Sequence, residues 1–185
     1  GRQPLTAWSI LLSVFAFLYF TIGALLLSLA AIVLLKLNPF AGARAKLVYH
    51  ALVSKFIWSL MYIMGNVKKT IINKGDEQFN SPAVIISNHQ SFLDILSIIM
   101  LNPRIILMTN DWVWKSPVFG FVVRMADYFP VAKGIDNNLD QLKAKFQQGY
   151  SIAVFPEGTR SPDGEMKRFH KGAFFLAEQL GADIL

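Results

Sequence analysis

Residues 3–35 form one apolar run of 33 positions without a formal charge, rich in Leu, Ala, Phe and Ile. At 1.5 Å rise per residue, about 20 residues cross a bilayer core, so the run suits one tilted span and is too short for two. Ser28-Leu29-Ala30 resembles a signal-peptidase site. The apolar core of a signal peptide is only about 7–15 residues, however, so a retained membrane helix fits better. Asn38-Pro39-Phe40-Ala41-Gly42 then breaks the helix with turn chemistry. A second apolar stretch, residues 47–67, is interrupted by His50 and Lys55. A lysine in mid-run disfavours a second span, and a helix lying at the interface with Lys55 snorkelling towards phosphates fits it better. His50 reads as a structural or interfacial residue.

Beyond residue 67 the pattern changes to short β-type runs alternating with helical ones. Strands are predicted at 69–73, 83–87, 104–108, 128–131 and 151–155, and helices at 91–101, 117–125, 137–148 and 172–180. Such alternation predicts an α/β fold, a buried central sheet flanked by helices, preceded by the membrane helix and the interfacial helix. The expected organisation is a membrane-anchoring segment over 1–66 and an α/β domain over 67–185. The chain starts without methionine and stops inside an apolar run, which reads as a piece of a longer protein.

Composition sharpens this picture. The chain is 54% hydrophobic and only 16% charged, against roughly 25% in ordinary soluble domains, which excludes disorder. It has no cysteine, which excludes a disulfide framework, a zinc-thiolate site and a cysteine nucleophile. The net charge of +6 is unevenly placed: residues 1–75 hold eight basic residues and no acidic one, while residues 76–185 sum to −2. Cations beside apolar runs belong to a membrane-apposed segment rather than to a nucleic-acid binder, so no nucleic-acid partner is expected. Lys36, Arg44, Lys46 and Lys55 outweigh Arg2, which places the C-terminal side of the first helix on the cytoplasmic face.

Two segments carry candidate chemistry. Strand 83–87 runs into Asn88-His89-Gln90-Ser91-Phe92-Leu93-Asp94, where Ser91 and Asp94 have the spacing of a capping box. His89 then sits in a strand-to-helix turn, and Asp94 is within reach of its ring. A carboxylate on one ring nitrogen fixes the tautomer and leaves the other nitrogen to take a proton from a hydroxyl. The plainer alternative makes Asp94 a helix cap and His89 a polar turn residue. Strand 151–155 ends in Pro156-Glu157-Gly158-Thr159-Arg160-Ser161, with Lys167, Arg168 and Lys171 following. Arg160 could hold a phosphate bidentately and Thr159 donate to it; a solvated basic loop is the alternative. His170 is a lesser candidate for headgroup contact. The aromatics of 111–115 and 119–121 suit core or interface packing, or the wall of an acyl tunnel. No metal-ligand spacing, nucleotide-binding glycine loop or serine nucleophile elbow is present.

Asn88-His89-x4-Asp94 and Phe155-Pro156-Glu157-Gly158-Thr159-Arg160-Ser161 stand in this order about 65 residues apart. Together they resemble motifs I and III of the glycerolipid acyltransferases, the lysophospholipid acyltransferase family that includes the 1-acylglycerol-3-phosphate acyltransferases. The resemblance covers roughly residues 67–185. It implies that His89 is the base for an acceptor hydroxyl and Asp94 its orienting partner. It further implies that Glu157, Gly158, Thr159 and Arg160 shape the acceptor site, with Arg160 on the acceptor phosphate. The implied reaction moves a fatty acyl group from acyl-CoA or acyl-carrier protein to a lysophospholipid, by default lysophosphatidate to phosphatidate, with no cofactor beyond that donor. The family's intermediate motif aligns with Phe129-Pro130-Val131-Ala132-Lys133, so Lys133 replaces the phosphate-binding arginine. An ammonium lacks the planar guanidinium fork, which keeps open a different headgroup, such as that of a lyso-ornithine lipid. The family's fourth motif, a proline-containing strand, is expected beyond Leu185. A non-catalytic lipid-binding module is the alternative from another class.

Overall fold

The computed structural model describes residues 6–64, 67–73, 75–158 and 165–185. Helix α1 (Ala7–Ala31) starts where the Thr6 side chain accepts from the Ser9 amide, and runs on into a π-helical turn, Ile32–Lys36. The combined element is about 45 Å long by its rise, and is long and apolar enough to cross a membrane by length and composition. Only Gly23, Ala24, Leu27 and Ala31 of α1 are buried, whereas Trp8, Leu11, Phe17, Leu25 and Leu26 are each more than 60% exposed. After the turn at 38–42 the chain returns as α2 (Ala43–Ile63), four residues earlier than the apolar stretch suggests. The apolar sequence of α2 defines no sharp face, yet the fold gives it one. Tyr49, His50, Val53, Ser54, Ile57, Leu60 and Met61 are buried at helical spacing, while Trp58 and Tyr62 stack on the outer side with ring centroids 4.4 Å apart.

The helical pair meets at a glycine. A Cβ on Gly23 would lie 2.0 Å from the Phe56 ring, so only glycine lets α1 and α2 approach this closely. Tyr19 and Phe20 stack on that ring at 5.6 and 6.2 Å, and the Tyr19 hydroxyl is 2.7 Å from the Ser59 hydroxyl. Residues 69–73, read as a strand, form none: Ile71 and Ile72 are largely exposed and pair with no strand among the described residues.

The sheet contains β1 (Val84–Ile86), β2 (Ile105–Thr109), β3 (Phe129–Pro130) and β4 (Ser151–Val154), in the order β1-β4-β2-β3 with every pairing parallel. Its apolar strands are buried on both faces, as parallel sheets require. Helices α3 (Phe92–Ile99), α4 (Asp111–Lys115), α5 (Gly120–Met125), α6 (Leu139–Gln147) and α7 (Gly172–Leu180) connect and cover the strands. Two short 3₁₀ turns, Val131–Lys133 and Asp136–Asn138, lead from β3 into α6. Residues 183–185 pair along the other edge of β1, with Ile184 bridging Val84. The apolar core is continuous from α1 and α2 through α3 to both faces of the sheet.

Candidate active site

In a parallel pair the C-terminal ends of both strands lie at one edge. Strands β1 and β4 are in register with Ile86 opposite Val154, so three residues further on His89 stands opposite Glu157. That arithmetic is realised: the His89 amide donates to Glu157 Oε1 at 3.0 Å. The two sequence segments singled out above therefore meet, a backbone amide of one on a side-chain carboxylate of the other, at the sheet edge where α/β folds carry function.

The His89 turn is shaped by Asp94. Ser91 caps α3, accepting from the Leu93 amide at 3.1 Å, and Asp94 closes a reciprocal capping box. Asp94 Oδ2 accepts from the amides of Gln90 and Ser91 at 2.6 and 2.7 Å and stands 3.3 Å from His89 Nδ1. Burial opposes its ionisation, but those two amides, with His89 and the Ser91 hydroxyl, outweigh burial and hold the carboxyl below its usual range. An ionised carboxylate only accepts, so Nδ1 carries the proton and Nε2 is left as the basic nitrogen. The ring itself is buried and stacks on Phe155, with centroids 4.3 Å apart.

Glu157 is equally buried, at 3% exposure. Besides the His89 amide it accepts from the Lys167 amide at 3.1 Å through its second oxygen, so one carboxylate pins the histidine turn to the basic segment that carries Lys167. Gly158 has φ +71°, a conformation that side chains other than glycine rarely adopt, and the His170 ring packs over it. The His170 amide donates to the Pro156 carbonyl at 2.8 Å.

Below His89 opens a cavity of about 320 Å³ with almost wholly apolar walls. It is lined by His89, Phe155, Gly158 and His170, by Phe92, Leu96, Met108 and Val122, and by Phe20, Ala24, Leu27 and Phe56 of the helical pair. Phe20 contacts Phe119 and Phe92 at centroid distances of 5.0 and 6.0 Å, an aromatic wall joining α1 to the α/β layers. Phe119 thus lines the cavity, while Trp112 packs on Phe92 and Phe119 and is half exposed.

The structure brings together His89, Asp94, Glu157, Gly158 and His170. Thr159 and Arg160 lie outside the described residues, as does the side chain of Lys133, whose backbone ends the first 3₁₀ turn. Sequence reasoning did not assign the ring support from Phe155 or the contribution of α1 and α2 to the cavity. Phe155 was visible as the residue before the Pro-Glu-Gly turn, but the cavity walls depend on tertiary packing alone.

A model of the family described as Acyltransferase matches residues 66–185, more than half of the chain. The chain belongs to the acyltransferase family. Among its relatives is the chloroplastic 1-acyl-sn-glycerol-3-phosphate acyltransferase LPAT1 of Arabidopsis thaliana, 34% identical over 145 residues, which are 74% of this chain and 40% of that protein. Human 1-acyl-sn-glycerol-3-phosphate acyltransferase beta is 25% identical over 142 residues, 73% of this chain and 50% of the human protein. This acyltransferase-family chain therefore spans about half the length, or less, of these relatives. The crystal structure of PlsC, the 1-acyl-sn-glycerophosphate acyltransferase of Thermotoga maritima, shares the fold with a TM-score of 0.66 at 22% identity, covering 90% of this chain and 73% of that one.

Proposed function

We propose that this protein is a membrane-bound O-acyltransferase that moves a fatty acyl group from acyl-CoA or acyl-carrier protein to the hydroxyl of lysophosphatidate, giving phosphatidate. The observation that carries the reading is the His89–Asp94 pair, with His89 lining an apolar cavity and tied through Glu157 to the turn that leads to Arg160. The names of the relatives support the acceptor. His89 Nε2 takes the proton of the acceptor hydroxyl while that oxygen attacks the thioester carbonyl carbon. The tetrahedral intermediate collapses with cleavage of the C–S bond, and the thiolate leaves with the proton from Nε2. Asp94 holds the tautomer and stabilises the transient imidazolium. Glu157 is a positioning residue, and the cavity receives an acyl chain. Thr159, Arg160 and Lys133 are assigned to the acceptor phosphate.

Lysophosphatidate is an amphiphile that resides in bilayers, which supports a reaction at a membrane surface. The exposed apolar flank of α1 supports anchoring there, with the α/β layers on the cytoplasmic face. The test supplies labelled acyl-CoA or acyl-carrier protein and a panel of lyso-lipids to the full-length protein in membranes, with products identified by mass spectrometry. Lysophosphatidate is expected to yield phosphatidate, and His89→Ala to lose at least about 100-fold in turnover while staying membrane-bound. Product only from an amino-headgroup acceptor would move the reading to the headgroup that Lys133 leaves open. Substantial turnover by His89→Ala would remove the base from its role.

A further inference from the structure

At the opposite end of the sheet, where β2 and β4 begin rather than end, five cations line one open crevice of about 770 Å³: Lys36, Arg44, Lys46, Arg104 and Lys145. They come from four separate elements, the end of the α1 extension, the first turn of α2, the residue before β2, and α6. Lys46 and Lys145 share the single carboxylate of Asp127, at 2.9 and 2.6 Å. Among the described residues, Lys36, Arg44 and Arg104 pair with no carboxylate. Five positive charges therefore converge around one negative one.

Four of the five cations are held in place before any ligand arrives. Lys46 donates to the Met125 carbonyl at 2.8 Å, and Arg104 to the Gln148 carbonyl at 3.1 Å. A Cβ on Gly149 would approach Arg104 Nη1 to 3.2 Å, and Lys145 and Arg104 lie against the Tyr150 ring. Lys36 rests over the Phe121 ring at 5.1 Å. Leu35, Ala41 and Leu47 also line the crevice, and next to them in sequence Leu37 and Phe40, between α1 and α2, are 71% and 91% exposed. A pocket of convergent cations next to exposed apolar residues, at the end of the long apolar helix, matches an anionic headgroup still attached to its acyl chains.

We infer that this crevice is a second lipid site, which binds the phosphate of an anionic glycerophospholipid at the far end of the sheet from His89. The inference rests on the membrane placement of α1 and not on the acyl-transfer reading. Arg44 and Arg104 supply the unpaired guanidinium groups for the phosphate oxygens, and Lys36 with the Asp127-bound lysines keeps the pocket positive without collapsing it.

The test uses the full-length protein in neutral detergent micelles titrated with phosphatidylglycerol, a lipid that is neither substrate nor product of the proposed reaction, with bound lipid counted by native mass spectrometry. At roughly fivefold per cation, Arg44→Gln with Arg104→Gln is expected to weaken phosphatidylglycerol binding about 25-fold and to leave phosphatidylcholine binding unchanged. The lysine versions, Arg44→Lys with Arg104→Lys, should retain most of the affinity, and millimolar inorganic phosphate should not displace the lipid. Arg44→Gln alone, at about fivefold, keeps the test valid if the Arg104 change perturbs folding. Unchanged phosphatidylglycerol binding, an equal loss for phosphatidylcholine, or displacement by free phosphate would each overturn the site. Cosedimentation of the unaltered chain with phosphatidylcholine vesicles reports separately on α1: if it fails, the membrane placement falls, while the lipid count in micelles still decides the crevice.

Discussion

Asp94 does two jobs with one carboxylate, and they can be separated. As the third residue of a capping box it stabilises α3, a contribution of about 1 kcal/mol that a neutral side chain largely keeps. As the partner of His89 Nδ1 it fixes which nitrogen is basic, which an amide does not do reliably because it can donate as well as accept. Asp94→Asn is therefore expected to change stability by no more than about 1 kcal/mol, but to lower kcat by about 10²- to 10⁴-fold with little change in KM. Thermal unfolding and steady-state kinetics on the same preparation check both halves, and equal modest losses in each would reduce Asp94 to a cap. At this scale the sequence was informative, because Ser91 and Asp94 announce the cap and the cap dictates where His89 stands. Glu157 was less legible. Its carboxylate looks like a candidate ligand for substrate, and its partners became known only once β1 and β4 were in register.

Elements were legible where their pattern was local. Helix α7 falls on the predicted residues, and strands β1, β2, β3 and β4 lie within a residue or two of expectation. Failures occurred where an element depends on a distant partner. Residues 69–73 have strand composition but no strand neighbour among the described residues, and α4 is a five-residue turn of helix inside a segment read only for its aromatics. The α1–α2 contact is the clearest such case, since nothing local to Gly23 reveals that Phe56 covers it. Gly23→Val should force the ring out of its stack with Tyr19 and Phe20 and cost about 1–3 kcal/mol. The drop in melting temperature in micelles measures this, and an unchanged value would mean that the helices separate freely. Because Phe20 and Phe56 also wall the cavity, the same variant is expected to alter preference among acyl donors of different length.

Across the whole molecule, α2 is joined to the α/β layers by charge as well as by apolar packing. Asp127, between α5 and β3, holds Lys46 of α2 and Lys145 of α6, and burial of Asp127 is outweighed by these two lysines, so its carboxyl stays below the usual range. Beside it His50 is buried against the rings of Tyr150 and Tyr128, with no hydrogen-bond partner for Nε2 among the described residues. Burial pushes its pKa down to about 4, Lys46 and Lys145 adding to the effect and Asp127 opposing it. The folded value lies below the unfolded one of about 6.5, so the unfolded chain binds the proton more readily. Stability from neutral His50 is complete above pH ~6.5 and declines as pH falls towards 4, by on the order of 2–3 kcal/mol. His50→Phe keeps a ring in the same contacts and should flatten that part of the stability profile; an unaltered acid slope in denaturant unfolding would place the sensitivity elsewhere. The edge pairing of β1 also bears on how the chain is made. The strand that leads to His89 is flanked by β4 and by residues 183–185, both synthesised long after it, whereas α1 and α2 are complete before β1 begins. Such non-local pairing is slow to form. During synthesis the helical hairpin is therefore complete before the partners of β1 exist, so the order of translation alone delays assembly of the histidine turn until residues 151–185 have been made.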